Sequence, residues 1–118
     1  MTIRLVHFVT GTDGDSHFTV GEVEWTSTGA VSSISTHQDV HSLSFEETVA
    51  GSSLDWHPAP ARQYVITLSG TLEFEMRDGS TVTITPGDIL LAEDTTGSGH
   101  RWRLVGDQPW RRVYVTLA

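Results

Sequence analysis

Two stretches constrain the fold of this chain more than any others. The run WHPAPARQYVITLSG spans Trp56 to Gly70, and farther on TPGD leads into GSGH, which ends at His100. Each stretch joins a histidine to a segment of β-type alternation. Histidines so distant in sequence meet in one barrel interior only if each lies at the end of an inward-facing strand. The pattern therefore predicts a double-stranded β-barrel enclosing a small-molecule site.

The rest of the chain agrees in type. Strands are predicted over Ile3 to Thr10, Phe18 to Ser27, Ser42 to Thr48, Gln63 to Ser69, Leu72 to Met76, Thr81 to Thr85, Ile89 to Ala92, Arg101 to Val105 and Arg112 to Leu117. Apart from a weak helical signal at Ile34 to His41, no window carries a helical period. Thr26 to Thr36, rich in Ser, Thr and Gly, reads as an exposed loop. Short strands divided by glycine turns make this an all-β chain of jelly-roll type. At 118 residues, a single domain over 1–118 is expected.

One hairpin can be assigned a register. Leu72, Phe74 and Met76 alternate with Glu73 and Glu75 before Arg77-Asp78-Gly79. A two-residue Asp78-Gly79 turn would set Glu75 beside Val82 and Glu73 beside Ile84, mixing carboxylates into the apolar face. A three-residue loop with Gly79 left-handed instead pairs Phe74 with Val82 and Leu72 with Ile84. The second register is predicted, with both glutamates on the outer face.

Composition excludes several chemistries. The chain has no cysteine, so thiol nucleophiles, thiolate metal sites and disulfides are all ruled out. All seven basic side chains are arginines, which rules out lysine Schiff-base chemistry and leaves histidine and carboxylates as proton carriers. A net charge of −8 opposes nucleic acid and anionic lipid as partners. The apolar run before Gly11 is too short for a signal segment and no stretch is long enough to span a membrane, so a cytoplasmic location is expected.

These motifs resemble those of the cupin superfamily. Its first motif runs Gly, five residues, His-x-His, three or four residues, Glu, six residues, Gly. Here Gly51 is followed at that spacing by His57, Ala59 at the second histidine place, Gln63 at the glutamate place, and Gly70. In the second motif Gly97 and His100 match, whereas Thr95 stands at the proline place after seven residues instead of five, and Leu104 replaces asparagine. The resemblance covers roughly Gly51 to Leu104. It implies a cupin barrel and favours a homodimer, but leaves the reaction open, since cupins include dioxygenases, isomerases, epimerases, lyases and non-catalytic modules.

Residues 57, 59, 63, 65 and 67 share one parity on an extended strand, which turns His57 and Gln63 to one wall. His100 shares parity with Trp102 and Leu104. His57, Gln63 and His100 thus form a candidate ligand set for a divalent metal, with open positions for water or substrate. Gln63 and Ala59 remove one formal charge and one ligand from the family's set. His41, Glu93 and Asp94 are the candidate compensators, and Glu93 or Asp94 is also a candidate base. Trp56, Trp102 and His41 are candidate walls of a pocket for a small organic molecule. Arg101, Arg103, Arg111 and Arg112 read as surface charges paired with carboxylates. Three readings follow: a metal-dependent isomerase, lyase or oxygenase; a metal-independent isomerase, cyclase or epimerase using His57 or His100 as acid or base; and a ligand-binding module without chemistry.

Overall fold

Residues 2–118 are described by the computed structural model; Met1 lies outside them. The strands are β1 (Arg4–Thr10), β2 (Ser16–Glu22), β3 (Ser27–Thr28), β4 (Ser33–Ile34), β5 (Val40–Thr48), β6 (Ser53–His57), β7 (Gln63–Ser69), β8 (Thr71–Glu75), β9 (Thr81–Ile84), β10 (Ile89–Ala92), β11 (His100–Val105) and β12 (Trp110–Leu117). One sheet has the order β2-β1-β10-β7-β12-β5 and the other β6-β11-β8-β9, with β3 and β4 as a separate hairpin. The β1–β10 pair is parallel and the other pairs are antiparallel. The chain is an all-β jelly-roll barrel.

Alternation in the sequence decides which face each strand buries. In β7, Gln63, Val65 and Thr67 are buried while their neighbours are less so; β8 buries Leu72 and Phe74, β9 buries Val82 and Ile84, and β10 buries Leu90 and Ala92. One apolar core joins the two sheets, with Phe8 and Leu90 from the first against Phe74 and Leu104 from the second. The Phe8 and Phe74 rings meet edge to face at 5.3 Å. Each such side chain contributes about 1.5–3 kcal/mol by leaving water.

The β8–β9 hairpin adopts the predicted register, with Leu72 opposite Ile84 and Phe74 opposite Val82. The Met76 N–H donates to the Ser80 carbonyl at 2.9 Å, closing a three-residue loop in which Gly79 has φ 87°. Glu73 and Glu75 face outward and pair with Arg103 and Arg101, each at 3.1 Å.

Several local expectations differ from the structure. Ser53–His57 forms a strand, β6, that carries no burial alternation for a sequence pattern to reveal. Trp110 already belongs to β12 and His100 to β11. The predicted loop at Thr26 to Thr36 holds the small β3–β4 hairpin, and Ile34 to His41 contains no helix. β2 ends at Glu22, short of Ser27. No helix among the described residues is long and apolar enough to cross a membrane.

Candidate functional site

The two motif histidines are brought together by strand pairing. β6 lies beside β11 with His57 opposite His100, and the register slips between His100 and Trp102. The two imidazoles stand 4.7 Å apart, centroid to centroid, and nearly edge to face. Both line a cavity of about 420 Å³, together with Gln63, Trp102, Trp110 and Arg112. That volume lies within the roughly 300–1,000 Å³ of small-molecule sites.

His100 is buried, flanked by the Phe8 and Phe74 rings at 5.0 and 5.6 Å. Its Nδ1 lies 2.6 Å from Oδ2 of Asp94, a residue with no solvent exposure. The Ser16 hydroxyl donates to the same oxygen at 2.5 Å, and the Asp94 carbonyl accepts from the Ala59 N–H at 2.9 Å. Asp94 Oδ1 is buried without a hydrogen-bond partner among the described residues. A carboxylate only accepts, so in that form Asp94 fixes the proton of His100 on Nδ1 and leaves the Nε2 lone pair as the free one. His57 is set similarly, with Nδ1 donating to the Asp55 carbonyl at 2.7 Å. Two neighbouring cavity-lining imidazoles thus each keep Nε2 free of these bonds.

Other expected site residues lie elsewhere. Asp94 stands behind His100 and does not line the cavity. Glu93 points away from it, bound at 2.7 Å by both Arg62 Nε and His7 Nε2. Partial burial pushes the Glu93 carboxyl up, but hydrogen bonds and charge from Arg62 and His7 outweigh it and hold the group below the ordinary carboxylate range. Trp56 is not among the cavity walls; it lies at the slip in the β6–β11 register, where Arg77 and Arg101 stack on its ring at 4.0 and 4.8 Å. His41 is exposed on β5, which pairs with β12 instead of running beside His57. Trp102 does line the cavity.

The residue that sequence reasoning missed is Arg112. Arg101, Arg103 and Arg111 are exposed and paired with Glu75, Glu73 and Glu47. Arg112, grouped with them as a surface charge, is instead buried. It shares parity with Trp110, Tyr114 and Thr116, and all four line the cavity. The guanidinium lies 3.6 Å over the Trp110 ring. Its Nε donates to the Tyr114 hydroxyl at 3.1 Å, and Nη1 donates to Thr48 Oγ1 at 2.7 Å and to the Trp110 carbonyl at 3.2 Å. Nη2 is bound to the carboxylate of Glu46, whose side chain is 54% exposed. That parity was available in the sequence as a signal, but extending the strand back to Trp110 is what makes it visible.

The donors do not fit a tightly held divalent ion. The two imidazoles and the Gln63 amide carry no negative charge, the Asp94 carboxylate faces the far nitrogen of His100, and the Glu46 carboxylate in the cavity is bound by the Arg112 guanidinium. Among the described residues no three histidines or carboxylates are grouped to hold a metal. With no carboxylate left free to ligate, little offsets the desolvation of a dication.

Residues 44–116 match the family described as the cupin domain. No curated protein matches the chain significantly. Among solved structures, the chain is similar to a cupin superfamily protein from Desulfitobacterium hafniense, with a TM-score of 0.49 and 16% identity over 70% of this chain and 71% of that one. A Neisseria meningitidis protein gives a TM-score of 0.47 and 16% identity, covering 64% of this chain and 72% of that one. A conserved Streptococcus pyogenes protein gives 0.45 and 19%, covering 72% and 70%.

Proposed function

The chain belongs to the cupin family, and from that premise we propose that it binds a small organic molecule in the barrel and moves a proton on it with His57 and His100, without a tightly held metal. The observation that carries this reading is the buried Asp94–His100 pair. A carboxylate against Nδ1 orients the imidazole, favours the tautomer with a free Nε2, and stabilises the imidazolium formed when Nε2 takes a proton. The His100 imidazolium then returns that proton to a neighbouring carbon or oxygen of the substrate, and His57, one ring away with its own Nε2 free, accepts from a substrate hydroxyl. Proton transfer of this kind serves an isomerase, epimerase or cyclase.

The test is exchange of substrate C–H for deuterium in D2O, run on a panel of small oxo and hydroxy acids with and without a chelator. Exchange that survives EDTA and disappears in His100→Asn is the expected result. Exchange abolished by EDTA and restored by a divalent ion overturns the reading. Saturable binding with no exchange reduces the protein to a capture module.

A second, metal-dependent reading draws on a specific observation. Both imidazoles engage Nδ1 with protein oxygens and keep neighbouring Nε2 lone pairs, as histidine metal ligands do. On that reading His57, His100 and Gln63 would hold a weakly bound, exchangeable divalent ion able to polarise a substrate oxygen. Elemental analysis of untagged protein, with His57→Ala and His100→Ala alongside, separates the two.

The proposal also takes 1–118 as one cytoplasmic domain that forms a homodimer. β5 is the last strand of its sheet, and Val40, Leu43 and Phe45 along it are 51%, 57% and 73% exposed. An open apolar edge of this kind favours pairing with a second copy.

A further inference from the structure

Arg112 stands apart from the other six arginines as the one that is buried. A buried guanidinium requires an anion, and this one relies on Glu46, a carboxylate more than half in solvent. Of the five guanidinium N–H groups, Nε uses one, Nη1 two and Nη2 one, so a single N–H on Nη2 remains, on the same nitrogen that meets Glu46. The Tyr114 hydroxyl accepts from Nε, which leaves its own proton to donate. Two donors, Arg112 Nη2–H and Tyr114 O–H, therefore remain in a cavity whose apolar wall includes Trp102 and Trp110, packed edge to face at 5.0 Å.

We propose that the ligand is a small carboxylate with a flat apolar body, anchored by Arg112 and Tyr114, and that Glu46 is the resident counterion it displaces. The inference rests on the ligand-binding part of the function proposed above and names its substrate class. A ligand carboxylate satisfies the buried cation as Glu46 does, while Glu46 moves into water at little cost because it is already half solvated. The flat body lies against Trp102, the less buried of the two indoles, since the Trp110 face is already taken by the guanidinium, and the ligand's reactive part is left to the histidines lining the same cavity. A neutral ligand would leave Glu46 in place and gain from the guanidinium only the one free N–H, without charge pairing.

The experiment uses benzoate and its neutral isostere benzamide as probes, followed by tryptophan fluorescence and calorimetry on the intact chain. Benzoate is expected to bind saturably and at least about tenfold more tightly than benzamide, the scale of one charge-assisted hydrogen bond. Because Arg112 is buried and its removal endangers folding, the deciding variant is Glu46→Gln on the exposed side of the pair. It should tighten benzoate by about tenfold and leave benzamide unchanged. A merely structural Arg112–Glu46 pair predicts the opposite, equal or weaker binding of benzoate. Benzoate and benzamide binding alike, no saturable benzoate binding, or no tightening in Glu46→Gln each overturns the proposal. None of these readouts involves proton transfer, so failure here leaves the deuterium-exchange test of the histidines standing, and failure of that test leaves the carboxylate anchor standing.

Discussion

Asp94→Ala tests the reading of His100 most directly. Asp94 has no solvent exposure, and its Oδ2 is the acceptor for both the Ser16 hydroxyl and His100 Nδ1, at 2.5 and 2.6 Å. Truncation orphans two buried donors, each costing about 1–3 kcal/mol, so the gross loss is about 4 kcal/mol. It also removes Oδ1, which is buried without a partner, and relief of that penalty returns about 2 kcal/mol. The net loss is about 2 kcal/mol, which at a urea slope of about 2 kcal/mol/M lowers the denaturation midpoint by about 1 M. Asp94→Asn separates stability from chemistry. With its amide oxygen in the Oδ2 place it accepts from both Ser16 and His100 Nδ1, while its NH2 takes the place of Oδ1. The expected result is a smaller midpoint shift than in Asp94→Ala and a retained Nδ1–H tautomer in long-range 1H–15N spectra, with loss of the negative charge that stabilises the His100 imidazolium and hence of deuterium exchange. A midpoint in Asp94→Ala within about 0.3 M of wild type, on the same slope, or an Asn variant with wild-type exchange, refutes the argument.

Three further outcomes follow from the same geometry. Gly99 has φ 76°, and a Cβ there would overlap the carbonyl of His57, whereas Gly79 at φ 87° has open space around it. Gly79→Ala should cost about 1 kcal/mol and Gly99→Ala at least about twice that, with His57 displaced, as read by thermal unfolding and the His57 ring signals. Glu93 is held below its ordinary value of 4.5 by Arg62 and His7. A carboxyl with a lowered folded pKa contributes stability above its unfolded pKa and loses it as pH falls through the folded one. The stability gap between wild type and Glu93→Gln should therefore be full near neutral pH and shrink below about pH 4.5, and a gap constant from pH 7 to about 3 would contradict this. Phe45→Glu places a charge on the exposed edge of β5 and should abolish the proposed dimer in light scattering, with the fold retained by circular dichroism.

The parts of the molecule legible in its sequence are those where residue type and position agree. Val65 and Thr67 alternate with Tyr64 and Ile66, and the glutamates of β8 exclude every hairpin register but one, so barrel walls could be read from pattern alone. β6 could not, because Ser53 to Asp55 lie exposed, and nothing in such a strand records its pairing with β11. At the site, residue type misleads. Trp56 suggests a pocket wall by type, yet at the slip in the β6–β11 register it lies outside the cavity, where arginines cover it. Arg112 reads as surface by type, yet its parity sends it inward, where an indole face, a hydroxyl and a half-exposed carboxylate satisfy it. Parity wins at Arg112 because a strand cannot turn one side chain around without breaking the register of its neighbours. An amphipathic arginine or tryptophan tolerates either face when partners are available. The surroundings of a charge can adapt to its direction, whereas its direction is set by the strand. A buried charge on the inner parity of a barrel strand, carrying a counterion that has not left water, therefore marks where a ligand of the counterion's own chemistry belongs.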